Sequence, residues 1–188
     1  MKFISPSWDS IFKQSVELAQ KIRYDQKKTE KPNFHVIVGV SRGGLVLARL
    51  MSDLLEIQNV VIAKSEYYTG MGKKNKRPII TQKIQKNIAG KNVLVVDDVA
   101  DTGESLIEIR KHLQSKRPKY LAIATLYLKP WSKRIPDYYV SKTEAWIIFP
   151  WELYESYKLL KLKGGPRLLE RSKIPNWVIE RLKRYHKV

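Results

Sequence analysis

Residues 93–105 read Val-Leu-Val-Val-Asp-Asp-Val-Ala-Asp-Thr-Gly-Glu-Ser, and no other stretch constrains the fold as tightly. An apolar run that does not alternate fits a strand buried on both faces of a parallel sheet. The run breaks at Asp97 and Asp98, passes Val99 and Ala100, and reaches Asp101, Thr102 and Gly103. After Gly103, Leu106, Ile107, Ile109 and Leu113 fall at helical spacing, which predicts a helix from Glu104 to about Ser115. A turn from the carboxyl end of a parallel strand into a helix is where open α/β sheets bind ligands. The unpaired N–H groups and the dipole at the helix start favour an anion such as phosphate. The stretch therefore offers a phosphate seat beside carboxylates able to hold a cation or hydroxyl groups. A capping role would use one Asp or Thr; Asp97, Asp98 and Asp101 together exceed it.

A second unit of the same kind precedes it. Residues 34–40 read as a buried strand, broken by Ser41, Arg42, Gly43 and Gly44, and residues 45–55 resume helical spacing. Gly43 and Gly44 let backbone amides approach an anion and Arg42 adds charge, although a Gly-Gly pair also serves ordinary tight turns. Ahead of this unit, Ser7 is placed to cap a first helix ending near Tyr24, with Trp8, Ile11, Ser15, Leu18, Ala19 and Ile22 on one face. Residues 59–63 form a third short strand.

A long polar connection, 64–90, follows, carrying Lys73, Lys74, Lys76, Arg77, Lys83 and Lys86 with no acid after Glu66. Connections of that length in a compact domain are usually functional or mobile, and 77–84 alternates loosely, as a hairpin arm would. Residues 120–128 are another buried strand, running straight into Lys129 and Pro130. Residues 136–140 and 145–152 read as aromatic β-segments. The tail, 153–188, holds ten Lys/Arg against three acids. Gly164, Gly165 and Pro166 divide it into two pieces, and Pro175 opens a last helix with Trp177, Val178, Ile179 and Leu182 apolar.

Composition narrows the classes. The chain of 188 residues has no cysteine, which excludes disulfides and thiolate metal sites. Its apolar runs stay well short of the ~20 residues of a membrane span and no signal peptide is recognisable, so no membrane and a cytoplasmic location are expected. A net charge of +18 fits a lysine-rich surface, a polyanionic small substrate or a nucleic acid. No zinc-finger or RNP-type motif accompanies the charge, so nucleic acid is not the expected partner.

The 93–105 stretch resembles the phosphoribosyl pyrophosphate (PRPP) signature of the type I phosphoribosyltransferases: apolar strand, two acids, two small or apolar residues, Asp-Thr-Gly, one further residue, then Ser or Thr. Other segments resemble the 6-oxopurine (hypoxanthine, xanthine, guanine) branch. Ser41, Arg42, Gly43 and Gly44 look like the pyrophosphate loop of bacterial xanthine-guanine enzymes, where a non-proline cis peptide often occurs, here Ser41–Arg42. Leu128-Lys129-Pro130 is similar to the place where a lysine bonds the 6-oxo group. Residues 137–140, Trp146-Ile147 and Pro150-Trp151-Glu152 resemble the family's hood.

The resemblance implies an α/β fold: an open, twisted, mainly parallel sheet flanked by helices, with a core at about 34–128. A small hood at about 129–152 with an N-terminal contribution completes a domain of 1–152, and 153–188 is a basic helical extension. It also implies the site. Asp97 and Asp98 serve the ribose hydroxyls and Mg2+, and Asp101 acts as base or acceptor toward the purine's imidazole edge. Ala100, Asp101, Thr102, Gly103, Glu104 and Ser105 cradle the 5′-phosphate. Lys129, Trp146 and the Ile147 backbone bind the purine. Ser65, Tyr67 and Tyr68 belong to a flexible loop that seals the site, and Glu152 stands where the family has an Asp on the pyrophosphate and metal side. The implied partners are PRPP, a purine base, the nucleoside monophosphate product and further copies of the chain, as homodimer or homotetramer.

Rival readings come from other classes. The Asp97, Asp98 and Asp101 spacing also fits the DDxxD diphosphate motif of prenyl synthases, but that motif lies on a helix in an all-α fold. A regulator that senses PRPP or nucleotide on the same fold and binds nucleic acid is the second, and a phosphoribosyltransferase for another base is the third.

Overall fold

The computed structural model describes residues 2–67, 69–70, 73–74 and 77–185. In chain order the elements are β1 (Phe3–Ile4), α1 (Trp8–Lys28), β2 (Val36–Ser41), α2 (Gly44–Leu54), β3 (Val60–Glu66), β4 (Thr69–Gly70), β5 (Lys73–Lys74) and β6 (Ile79–Gln82). There follow β7 (Asn92–Ala100), α3 (Glu104–Gln114), β8 (Tyr120–Leu128), β9 (Tyr138–Lys142), β10 (Trp146–Ile147), α4 (Leu153–Arg171) and α5 (Asn176–Tyr185). The chain forms two compact units, Met1–Phe12 with Glu144–Val188, and Lys13–Thr143.

The larger unit is built on a sheet of order β6-β3-β2-β7-β8-β9. Five strands run parallel and β6 lies antiparallel at the edge beside β3. The strand after β2 is laid to one side of it, whereas the strands after β7 are laid to the other. The order therefore reverses between β2 and β7, which is where open α/β sheets form a crevice. Successive side chains of these buried strands enter opposite layers. Val36, Val38, Val40, Val93 and Val95 join Leu106, Ile109 and Leu113 of α3 in one core. On the other face α2 packs so closely on β2 that a Cβ at Gly39 would lie 2.9 Å from Ala48 Cβ.

Several local expectations are corrected. The apolar strand does not stop at Val96: β7 continues to Ala100, because Asp97, Val99 and Ala100 pair with Thr125, Tyr127 and Leu128 of β8. β3 likewise continues to Glu66, and of the expected arm at 77–84 only Ile79–Gln82 is strand, paired with β3. Ser7 caps α1, its Oγ accepting from the Ser10 N–H at 3.1 Å. The helix passes Tyr24 and ends at Lys28, with Lys27 and Lys28 in its last turn, where cations suit the dipole. Its buried face holds Ile11, Ser15, Leu18, Ala19 and Ile22, but Trp8 is 56% exposed.

In the smaller unit β1 pairs parallel with β10, Phe3 opposite Trp146 and Ile4 opposite Ile147. The two tail helices pack on these strands: Phe3 and Ile148 share a core with Tyr157, Leu160, Leu169, Ile174, Val178 and Ile179. Residues 164–166 do not divide the tail, since α4 runs unbroken through them. A helix interior loses ~1 kcal/mol at glycine and ~3 kcal/mol at proline. Apolar anchors on both sides of that segment, Tyr157 and Leu160 before it and Leu168 and Leu169 after it, outweigh the loss. In α5 Val178, Ile179 and Leu182 face the core, and Trp177 falls off that face, 70% exposed. Among the described residues, no helix is long and apolar enough to cross a membrane.

Candidate active site

At the reversal point, the β2 end and the β7 end are packed into each other. The Ser41–Arg42 peptide is cis. Leu45 N–H donates to the Arg42 carbonyl at 3.2 Å, turning the loop directly into α2. A Cβ on Gly43 would lie 2.1 Å from Asp98 Oδ2, and one on Gly44 2.4 Å from the Val96 carbonyl oxygen. Gly44 is closed to any larger residue by backbone, whereas a larger residue at 43 requires the Asp98 side chain to move. Asp97 accepts from the backbone N–H groups of Gly44 and Asp98, the latter at 3.0 Å. Burial, and then the neighbouring Asp98 charge, push the Asp97 carboxyl well above the usual aspartate range. Two carboxylates held so closely and so little solvated favour a cation, a proton or donated hydroxyls between them.

One residue past β7, Asp101 opens an exposed turn into α3. Gly103 stands before the helix at φ 77°, in the left-handed region that glycine adopts without steric cost. The Thr102 hydroxyl accepts from the Glu104 N–H at 3.3 Å. The first N–H groups of a helix have no partner within it, so this turn presents donors together with the Thr102 and Ser105 hydroxyls. Glu104 is held by Lys133 Nζ at 2.5 Å and accepts the Tyr67 hydroxyl. Lys133 first, and Tyr67 next, depress its carboxyl below the usual range.

The loop after β8 runs along this turn. Lys129 N–H donates to the Ala100 carbonyl at 3.0 Å and Lys133 N–H to the Thr102 carbonyl at 2.9 Å. A Cβ on Gly103 would lie 2.5 Å from Arg134 N, so the second reason for glycine here is this neighbouring loop. Lys129 is buried, 6% exposed. Desolvation lowers its pKa, and the charge of Asp101 works the other way. Trp131, which the sequence reading passed over, donates its indole N–H to Asp101 Oδ1 at 3.0 Å, and Lys129 Nζ lies 5.5 Å from the centre of its ring. The available signal was an aromatic residue two places beyond Lys129. Lys133 was missed as well, for want of any motif marking it.

The larger unit thus gathers Ser41, Arg42, Gly43, Gly44, Asp97, Asp98, Asp101, Thr102, Gly103, Glu104, Ser105, Lys129 and Tyr67. Ser65 lies on β3, its buried hydroxyl without a hydrogen-bond partner among the described residues. Tyr68 lies outside the described residues.

Trp146, Ile147 and Glu152 belong to the smaller unit. Trp146 N–H donates to Lys2 O at 2.8 Å and Ile148 N–H to Ile4 O at 2.9 Å. In a parallel ladder alternate residues bond the same neighbour, so the peptide groups of Ile147 are turned to the opposite edge. Trp146 is 40% exposed. Glu152 precedes α4, with Oε1 accepting from Phe149 N–H at 3.4 Å. Among the described residues, no group of three or more His, Cys, Asp or Glu side chains could hold a metal.

This strand order, with its strand-to-helix turn at Asp101, acid pair and glycine loop, is the architecture of a phosphoribosyltransferase. The phosphoribosyl transferase domain model matches residues 7–158, and the chain belongs to that family. It is similar to a xanthine-guanine phosphoribosyltransferase of Cereibacter sphaeroides, 29% identical over 153 residues, 80% of this chain and 87% of the relative. Among solved structures, a purine phosphoribosyltransferase from Pyrococcus horikoshii Ot3 aligns with a TM-score of 0.70 and 36% identity, over 80% of this chain and 95% of its own. A xanthine-guanine-hypoxanthine phosphoribosyltransferase of Helicobacter pylori aligns with a TM-score of 0.67 and 26% identity, over 84% of this chain and 97% of its own.

Proposed function

We propose that the protein is a purine salvage enzyme. It transfers the phosphoribosyl group of PRPP to a 6-oxopurine (guanine, xanthine or hypoxanthine), giving the nucleoside 5′-monophosphate and pyrophosphate. The observation that carries this reading is the placement of buried Lys129, a donor suited to an oxo group, on the loop that is hydrogen-bonded to the Asp101 turn.

A purine ring nitrogen bonds to the anomeric carbon as the carbon–oxygen bond to pyrophosphate breaks, its electron pair leaving with the pyrophosphate. The sugar passes through an oxocarbenium-like state, so the protein's work is positioning and charge stabilisation. Ser41, Arg42, Gly43 and Gly44 hold the pyrophosphate, and residues 100–105 hold the 5′-phosphate. Asp97 and Asp98 accept from the ribose hydroxyls. Asp101 takes up the proton of the imidazole edge, or accepts it as a hydrogen bond. Lys129 donates to the 6-oxo group, Trp146 stacks on the base for ~1–3 kcal/mol, and the outward peptide groups of Ile147 read the purine edge. Ser65, Tyr67 and Tyr68 close the loop over the reactants and exclude water.

The cofactor in this reading is Mg2+. The donor set fits: Asp97 and Asp98 are hard oxygen ligands, and a site of two carboxylates suits an ion that keeps waters and binds substrate phosphates. Bound there, it would neutralise charge on the leaving pyrophosphate, with Glu152 on the pyrophosphate side. The working unit is a cytoplasmic homodimer or homotetramer. Residues 129–152 with the N-terminal strand act as the hood and 153–188 as an extension of it.

The test is turnover of hypoxanthine, guanine and xanthine with PRPP, with and without Mg2+. At least one is converted and chelation stops it; failure with all three would move the assignment to another base.

A further inference from the structure

We infer that Trp131 is a positioning residue that sets the carboxylate of Asp101 for the incoming base. The inference rests on the phosphoribosyltransferase reading above for its role in turnover, though not for the contact itself. Asp101 stands on an exposed turn, beyond the last residue that β7 pairs with β8. A short side chain in such a place has its backbone fixed and its carboxylate free to rotate. Trp131 removes that freedom by donating its indole N–H to Oδ1 at 3.0 Å, the one side-chain hydrogen bond of Asp101 among the described residues. A carboxylate has room for about four donors, so Oδ2 keeps the capacity to meet an imidazole N–H while Oδ1 stays anchored.

The anchor is itself built. Residue 131 is fixed by the backbone bonds on either side of it, Lys129 N–H to Ala100 O at 3.0 Å and Lys133 N–H to Thr102 O at 2.9 Å. Ser132 N–H closes a tight turn on the Lys129 carbonyl at 3.0 Å. Gly103 admits this loop, since a Cβ there would meet Arg134 N at 2.5 Å and Ser132 Oγ at 2.7 Å. The same indole carries Lys129 Nζ 5.5 Å from its ring centre, within the range of a cation–π contact. One side chain thereby fixes the spacing of the two groups assigned to the base's imidazole edge and its 6-oxo group. An aromatic residue serving only as surface would have no reason to point its single polar atom at Asp101, because at 53% exposure water can satisfy that N–H.

Trp131→Phe keeps a ring for Lys129 and deletes the N–H. It should lower kcat about tenfold, the scale of one lost hydrogen bond to a charged group, with the PRPP KM moved less than about twofold. Trp131→His, which keeps a ring N–H donor, should recover part of the loss. In an Asp101→Asn background, Trp131→Phe should cost almost nothing further, because the two residues act as a unit. A kcat for Trp131→Phe equal to wild type, or a full additional loss in the Asp101→Asn background, overturns the inference.

The contact is read separately, without turnover, from the indole N–H resonances of the five tryptophans. The signal missing in Trp131→Phe should move upfield in Asp101→Ala; if it stays in place, the anchor does not exist. Wild-type conversion of a 6-oxopurine alongside an unmoved indole signal would sink the Trp131 role alone. A moved signal with no 6-oxopurine converted would sink the substrate reading and leave the anchor standing.

Discussion

Gly43 and Asp98 touch with no space between them: a Cβ on the glycine would lie 2.1 Å from Asp98 Oδ2. The glycine loop after β2 and the acid pair of β7 are therefore one packed element rather than two neighbouring motifs, and alanine should act differently at its two glycines. Gly44→Ala meets the Val96 carbonyl at 2.4 Å, which is backbone held in the sheet and cannot swing away. It should cost about 1–3 kcal/mol of stability, as overpacking does. Gly43→Ala displaces only the Asp98 side chain, so its main effect should be a raised PRPP KM with a smaller fall in Tm. Thermal melts and PRPP titrations of both variants check this; equal melting losses would refute the distinction.

Asp101→Asn keeps the shape of the side chain and an acceptor oxygen for Trp131, but removes the charge and the ability to take a proton. We expect kcat to fall ~100-fold or more. PRPP binding, which in this reading rests on the backbone amides of the same turn and on the glycine loop, should hold to within about twofold. Steady-state kinetics together with PRPP binding by calorimetry would measure both. A variant with unchanged kcat would leave Asp101 as a structural member of the turn.

Lys129→Met separates recognition from stability. The ammonium is buried, and desolvation pulls its pKa down against the charge of Asp101. Removing a desolvated charge is often neutral or favourable to the fold, so Tm should hold or rise. The purine KM should rise roughly 10–100-fold, what the loss of a charged donor to an oxo group gives, while the PRPP KM stays in place. A fall in Tm with an unaltered purine KM would make Lys129 a fold residue.

The core was legible because its strands are buried on both faces and so read as unbroken apolar runs; β8 was delimited to the residue, Tyr120–Leu128. The carboxyl end of β7 was not, because Asp97 and Asp98 read as a turn when hydrogen bonding to β8 alone keeps them in the ladder. The tail was read as helical, but the continuity of α4 was missed for the opposite reason, local breakers at 164–166 being overridden by packing on either side. Near the candidate site, the cis peptide at Ser41–Arg42, expected from the resemblance of that loop, is present. The contacts of Trp131 and Lys133 were not legible, because they come from a loop laid against the Asp101 turn by backbone bonds that no sequence pattern records.

The last prediction concerns the link between α1 and β9. Asp25 accepts from Lys31 Nζ at 2.6 Å and from the Tyr138 hydroxyl at 2.7 Å. Lys31 first, then Tyr138, hold its carboxyl below the usual aspartate range. A carboxyl whose pKa is lower in the folded protein than in the unfolded chain stabilises the fold above the unfolded value, and that contribution is lost as pH falls through the folded one. Lys31 is displaced upward by the same contact, so its share is complete below 10.5 and is lost only in strong alkali. Asp25→Asn should therefore be less stable than wild type at neutral pH by about 1–2 kcal/mol, the scale of a charge-assisted hydrogen bond at a partly exposed site. The gap should close as pH drops below the ordinary aspartate range, where the wild-type carboxyl is protonated as well. Urea midpoints of the two proteins from neutral pH down to about pH 3 would show the convergence, and a gap that stays constant over that range would assign the loss to packing rather than to charge.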